Sequence, residues 1–366
     1  MNAVQRVVIR VDASIEMGMG HLMRCLTLGR ALADDGANVS FLLRSHAAGL
    51  TRLIEGEGHS VRLLPDPDRR PEAPAADGTA YAHWLPTTWQ SDAEQTLEAI
   101  DRIWPVDWLI VDHYALDARW ECMQRKRVPR IFAIDDLADR DHDCDILLDQ
   151  NLVPEMESRY RGLLPTTCKL LLGPRYALLR PEFAERRKSL ARRSGKVSRI
   201  FVCYGGSDPS NETAKALAAI KRLPGNPLPM DVVVGLSNPH GSSVAKLCEE
   251  LPGAVLHRGA GNIADLMGRA DLAIGAGGVM CWERCCLGLP TVAVDIAGNQ
   301  VGALTALAAA GALVHLGAAA SVTEEGMTHA LDSILGDAGR LRRMSEAALE
   351  LVDGEGTERV RRTVFC

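Results

Sequence analysis

Short, nearly continuous apolar runs alternate with helix-period segments along most of the chain. Residues 7–11 carry Arg10 as their only charge, and residues 39–43, 61–64, 108–111, 130–136, 145–151 and 169–173 repeat the pattern. Runs of this kind, without strict apolar–polar alternation, suit strands buried on both faces of a parallel sheet. The segments between them have a different period. Leu22, Cys25, Leu26, Gly29, Leu32 and Ala33 recur at helical spacing, and Gly36 is placed to end that helix. Further helices are expected from about residue 91, over about 181–193, from Ser207 onward, over 262–270, after Gly278, and through the last fifty or so residues. From Arg199 the strand pattern starts again with residues 199–203, 232–235, 255–259, 272–274 and 290–295.

Strand–helix alternation that restarts halfway predicts α/β architecture in two Rossmann-like, doubly wound halves facing a central cleft. A length of 366 residues agrees with two domains. The run at 186–199, RRKSLARRSGKVSR, is charged and lacks a core face, so it reads as a linker. The expected domains are residues 1–180 and 195–366, the second including an arginine-rich helical tail. The proline-rich stretch 65–78 reads as a surface loop.

Composition narrows the function. The chain is 47% hydrophobic and 24% charged, ordinary for a globular protein, and its net charge of −6 argues against nucleic-acid binding. No apolar run is long enough to span a bilayer and no N-terminal secretion signal is visible, so no membrane partner and a cytoplasmic location are expected, with the chain acting as a monomer. The ten cysteines are scattered, several in apolar segments, as reduced buried thiols are. Cys281, Cys285 and Cys286 cluster, but not at zinc-knuckle spacing.

The candidate chemistry lies where glycines follow strands. After residues 7–11 come Gly18, Gly20 and His21 at the start of a helix. Glycines let backbone N–H groups approach an anion, and the helix start adds a positive dipole. His21 is thus either a base at the carboxyl end of a strand or simply a first-turn residue. Asp112, His113 and Tyr114 end another strand at the same expected edge. In the second half, Gly205 and Gly206 precede a polar helix start at Ser207–Asn211. Gly277 and Gly278 precede a helix carrying Glu283, which either accepts ribose hydroxyls or complements the helix dipole. Trp84 and Trp89 either line a sugar face or pack their loop down. The loop LADRDHDC at 137–144 reads as solvated, with a metal site as the alternative. A Walker lysine motif and a full G-x-G-x-x-G are both missing, which counts against an NTPase and a nicotinamide dehydrogenase.

Several motifs together resemble one family. RVDAS…GMGHLMRCLTLGRAL, VDHYALD, IDDLADRDHDCDILLDQN, LLGPRYALLRPEF, YGGSDPSN and GAGG…WE…LGLP…GNQ are similar, in order and over most of the chain, to the UDP-2,4-diacetamido-2,4,6-trideoxy-β-L-altropyranose hydrolases of pseudaminic acid synthesis. The resemblance implies a GT-B-like nucleotide-sugar fold with water in place of an acceptor alcohol. It implies cleavage of the anomeric C–O bond with inversion, releasing UDP and free sugar. It also implies that His21 is the base and that Tyr114 lies against the sugar. The expected substrate contacts are then Asp12, Gly20, Arg24, Tyr114 and Asn211. The expected UDP contacts are Gly205, Gly206, Gly277, Gly278, Val279, Glu283, Asn299 and Gln300. No cofactor and no protein-held metal are expected, while Mg²⁺ on the diphosphate stays open. One departure stands out. Val279 and Met280 follow the glycines where many relatives carry serine and threonine, which leaves backbone N–H groups to meet the diphosphate. A glycosyltransferase of similar fold and a non-catalytic nucleotide-sugar sensor are the competing readings.

Overall fold

The computed structural model describes residues 4–14, 17–66, 79–236 and 238–365. It divides into two compact units, residues 1–151, 155–178 and 357–366 in one, and residues 152–154 and 179–356 in the other.

The first unit is built on strands β1 (Arg6–Val11), β2 (Asn38–Arg44), β3 (Ser60–Leu64), β4 (Trp108–Asp112), β5 (Arg130–Ile134), β6 (Ile146–Asp149) and β7 (Lys169–Leu172). They form one parallel sheet in the order β3-β2-β1-β4-β5-β6-β7. The order reverses between β1 and β4, which opens a crevice at their carboxyl ends. Helix α1 (Gly20–Asp34) follows β1, and α2 (Thr51–Gly56), α3 (Trp89–Asp101) and α4 (Ala118–Gln124) complete the layers. Gly36, at φ +89, ends α1 as the spacing predicts: its N–H donates to the Ala33 carbonyl and the N–H of Ala37 to that of Leu32. One core holds Ile9, Leu22, Phe41 and Ile110; the opposite sheet face buries Val8, Leu109, Trp120 and Leu147. Most of the proline-rich loop, residues 67–78, lies outside the described residues.

The second unit starts with α5 (Pro181–Lys188) and then β8 (Ile200–Cys203), α6 (Glu212–Lys221), β9 (Met230–Val234), α7 (Gly241–Glu250) and β10 (Ala254–Arg258). It continues through α8 (Ile263–Arg269), β11 (Leu272–Ala276), α9 (Val279–Cys286), β12 (Thr291–Asp295), α10 (Val301–Ala309) and β13 (Val314–Ala318) to α11 (Glu324–Leu335) and α12 (Ala338–Leu351). The parallel sheet runs β10-β9-β8-β11-β12-β13, so here the order reverses between β8 and β11.

Three sequence expectations change. The arginine-rich tail is α13 (Gly356–Phe365), and it belongs to the first unit: Val360 and Val364 are fully buried in that core, and Arg361 pairs with Asp35. Its apolar stripe is only two residues wide, too little to show which half it completes. The basic run is no free linker. Arg187 donates to the carbonyls of Cys286 (2.8 Å), Val352 (2.9 Å) and Leu349 (3.0 Å), and Arg193 to those of Gly288, Ala270, Met267 and Leu287. These are carbonyls at or just beyond the ends of α8, α9 and α12, where orphan acceptors and negative dipole favour a guanidinium. Finally, β13 is a half-exposed edge strand, and its apolar signal is weak for that reason.

Candidate active site

In the first unit α1 starts directly after the glycine loop, so His21 falls in its first turn beside the β1–β4 crevice. Gly18 takes φ +71, and its N–H returns to the Ser14 carbonyl at 2.8 Å. The turn therefore needs a residue without a β-carbon penalty. His21 is 5% exposed, and its Nδ1 lies 2.6 Å from Oδ1 of Asp112, the last residue of β4. Burial alone would raise the Asp112 carboxyl. The Arg24 guanidinium and the His21 ring outweigh that and hold it well below the carboxylate range. An ionised carboxylate only accepts, so Nδ1 is the donor in this contact, and in a neutral ring that leaves Nε2 as the acceptor. Nε2 makes no hydrogen bond among the described residues.

Asp112 is itself fixed from three sides. Arg24 donates through Nε to Oδ2 (2.6 Å) and through Nη2 to Oδ1 (2.7 Å), and the Cys25 thiol donates to Oδ2 at 3.4 Å. The remaining Arg24 nitrogen reaches Oδ2 of Asp136 (3.0 Å), whose Oδ1 accepts from the Tyr114 hydroxyl. The Tyr114 ring stands edge-on to His21, centroids 4.6 Å apart, and Trp84 stacks on Tyr114 at 5.2 Å and 22°. Trp84 thus packs its loop down and also stands over the histidine, at 6.0 Å. Trp89 is a packing residue at the start of α3, covered by Arg119 at 4.9 Å.

Two expected substrate contacts are placed differently. Asp12 is fully buried, with Oδ2 accepting from Arg10 (2.8 Å) and Oδ1 from the Arg44 N–H (2.7 Å), and with His113 Nε2 at 3.4 Å. Arg24, 3% exposed, directs its guanidinium to Asp112 and Asp136 and so holds the site from behind. Asp136 is the residue sequence reasoning passed over. Its signal is an acidic pair at the end of β5, the same sheet edge as Asp112. The loop 137–144 is also less solvated than its composition suggests. His142 is buried and bonded through Nδ1 to Glu121 Oε1 (2.8 Å), and Arg140 pairs with Asp135 at 2.8 Å.

The buried aspartates predict an acid response. Burial raises Asp12, Asp92, Asp112 and Asp135, but neighbouring arginines, with His142 at Asp135, outweigh it, and Asp135 falls to about 2. Depressed folded values stabilise above the ordinary carboxylate pKa of about 4 and lose that contribution as pH falls through them. Asp149, pushed up to about 7 by burial and by Asp136, has the opposite sign and acts above that window. Thermal scans should show melting temperature dropping steeply between pH about 4 and about 2. A flat profile there would contradict the ion-pair assignments.

In the second unit, glycine turns flank the β8–β11 crevice. Gly205 (φ +89) follows β8, and Gly277 and Gly278 (φ +83) follow β11, with Val279 opening α9. Gln300 Oε1 accepts from the N–H of Gly277 (3.2 Å) and of Ile296 (3.1 Å); a β-carbon on Gly277 would lie 2.8 Å from the Gln300 Cβ. Asn299 beside it is exposed. Glu283 is 8% exposed and faces Arg180 at 3.4 Å; burial raises its carboxyl more than Arg180 lowers it. The polar helix start is shifted. Asp208, not Asn211, caps α6, its carboxylate accepting from the N–H groups of Glu212 (2.8 Å) and Thr213 (3.0 Å). Asn211 takes φ +57 immediately before the helix. Among the described residues no three His, Cys, Asp or Glu side chains are grouped to hold a metal ion. Cys281, Cys285 and Cys286 are buried thiols whose pKa values burial raises, that of Cys286 to about 12. No described helix is long and apolar enough to cross a membrane.

Two parallel-sheet α/β units, each with glycine turns at its reversal point, match the GT-B fold of glycosyltransferases in solved structures. Acinetobacter baumannii MurG matches with a TM-score of 0.68 at 14% identity over 99% of both chains. The spinosyn rhamnosyltransferase SpnG, solved with thymidine diphosphate, gives 0.63 at 20% identity over 98% of this chain and 100% of its own. At the sequence level the chain is similar to the UDP-2,4-diacetamido-2,4,6-trideoxy-β-L-altropyranose hydrolase of Campylobacter jejuni, 27% identical over 84% of this chain and 97% of that protein. It is also similar to the spore coat polysaccharide biosynthesis protein SpsG of Bacillus subtilis, 29% identical over 55% of this chain; that match spans 60% of the Bacillus protein. No family model matches the chain.

Proposed function

We propose that the protein hydrolyses a UDP-linked 2,4-diacetamido-2,4,6-trideoxy sugar, the β-L-altrose derivative, at its anomeric C–O bond with inversion. The observation that carries this reading is the His21–Asp112 pair: a 2.6 Å hydrogen bond that keeps the proton on Nδ1 and leaves Nε2 as acceptor. Similarity to the Campylobacter hydrolase across nearly its whole length supports this choice of substrate. Neutral Nε2 takes a proton from water as that water attacks the anomeric carbon. The bond from that carbon to the diphosphate oxygen breaks, and UDP departs with the electron pair. UDP is a good leaving group, so a positioned water and a base carry most of the chemistry. Tyr114 and Trp84 form the aromatic surface beside the base, and Gly20 opens its helix. Gly205, Gly206, Gly277, Gly278, Val279, Glu283, Asn299 and Gln300 bind UDP, with Asn211 a further contact, and backbone N–H groups meet the diphosphate. Consistent with this, the reaction is expected to need no protein-held cofactor.

Incubation with UDP-sugars in ¹⁸O-labelled water, without any acceptor, tests the reading. Free sugar carrying the label and unlabelled UDP are expected. Label on the UDP phosphate would mean attack at phosphorus. Turnover only after an alcohol is added would identify a glycosyltransferase.

A further inference from the structure

The second unit buries an arginine that forms no ion pair among the described residues. Arg284, on α9, is 1% exposed. Its Nη2 donates to the Ala276 carbonyl (2.5 Å) and to the Cys281 sulfur (3.1 Å), while Nε and Nη1 have no hydrogen-bond partner among the described residues. Glu283, its sequence neighbour, faces Arg180 instead. The position of the guanidinium is specific. A β-carbon built on Gly275 would lie 2.8 Å from Arg284 Nη1 and 2.1 Å from the Cys203 carbonyl oxygen. The charge therefore sits between the carboxyl ends of β8 and β11, where the sheet order reverses, next to the turns at Gly205–Gly206 and Gly277–Gly278.

A buried cation that is neither paired nor fully hydrogen-bonded costs stability. A crevice at the reversal point of a parallel sheet is where such a cation meets an anionic ligand. At the start of α9, Val279 and Met280 have no hydroxyl, so what that turn itself offers an anion is backbone N–H groups. We propose that Arg284 is a positioning residue for the diphosphate, a deepening that rests on the UDP-binding reading above. It fixes the Ala276 carbonyl at the root of the glycine turn and places a guanidinium with two unsatisfied nitrogens beneath it. Bound diphosphate supplies further negative charge there.

Calorimetry on the full chain with UDP, UMP and uridine tests this, using R284M, which keeps the length and removes the charge, and R284K, which keeps the charge. R284M should lose roughly tenfold or more in UDP affinity. It should lose less for UMP and nothing for uridine, and its ligand-free melting temperature should equal or exceed that of wild type. R284K should bind UDP nearly as wild type does. R284M that binds UDP as tightly as wild type, or that loses UDP and uridine alike, overturns the assignment. If R284M does not fold, R284K decides: retention of UDP affinity supports the charge role, and equal loss of UDP and uridine overturns it. Wild-type protein that binds no UDP overturns the underlying reading as well, which separates the two failures.

Discussion

Replacing His21 with asparagine is expected to cut kcat by about 10²–10⁴-fold, the usual contribution of a positioned general base. Asparagine retains the size and a hydrogen-bonding group, so Asp112 still has a partner, but nothing remains to accept a proton near neutral pH. UDP affinity should be almost unchanged, because the residues proposed to hold UDP belong to the other unit. Asp112→Asn should also lower kcat strongly while leaving the fold in place. An amide at that position can donate to Nδ1, which moves the imidazole proton to Nε2 and removes the acceptor. Steady-state kinetics with calorimetry on both variants decide the matter: a His21→Asn enzyme with near wild-type kcat removes histidine from the mechanism. If kcat and UDP affinity fall together, the defect is structural.

The second large effect concerns stability. Asp92 is fully buried on α3 and accepts from Arg10 Nη2 (2.8 Å), Arg44 Nε (2.9 Å) and Trp120 Nε1 (2.9 Å). Arg10 and Arg44 are themselves fully buried. Asp92→Ala removes the carboxylate and leaves two guanidinium groups short of negative charge inside the unit. Breaking a buried pair from one side costs about 3–5 kcal/mol. For a unit of this size that is roughly 10 °C in melting temperature. Urea or thermal unfolding measures it directly, and a loss under 1 kcal/mol would show that water or relaxation replaces the carboxylate. The same cluster closes off Asp12, so Asp92→Ala is also expected to loosen β1 just before the glycine loop.

Much of the architecture is legible in the sequence because a buried parallel strand has a strong signature. Residues 7–11 and 108–111 both carry it; Gly18 and Gly20 mark the carboxyl edge after the first, and polar Asp112, His113 and Tyr114 mark it after the second. His21 and the Asp112–Tyr114 triplet follow from that logic. What the chain does not announce is how charges pair. Arg10 inside a strand looks like an interruption, yet it is the centre of a buried network with Asp12 and Asp92. Composition makes 137–144 look wet, yet Arg140 and His142 are buried against Asp135 and Glu121. Asp136 joins Arg24 to Tyr114 across 112 and 22 residues of sequence, which no local pattern reports. Arg284 is the same case: it follows Glu283 in sequence, yet Glu283 pairs with Arg180 and Arg284 donates to the Ala276 carbonyl, which no local pattern reports.

The placement of α13 bears on how the polypeptide reaches this state during synthesis. Val360 and Val364 complete a core whose other buried members are made before residue 179, while residues 179–356 of the second unit are translated in between. The unit begun first therefore stays unfinished at the ribosome until the one begun later has emerged. A nascent chain stalled near residue 340 would leave the apolar seat of α13 open to solvent and to chaperones.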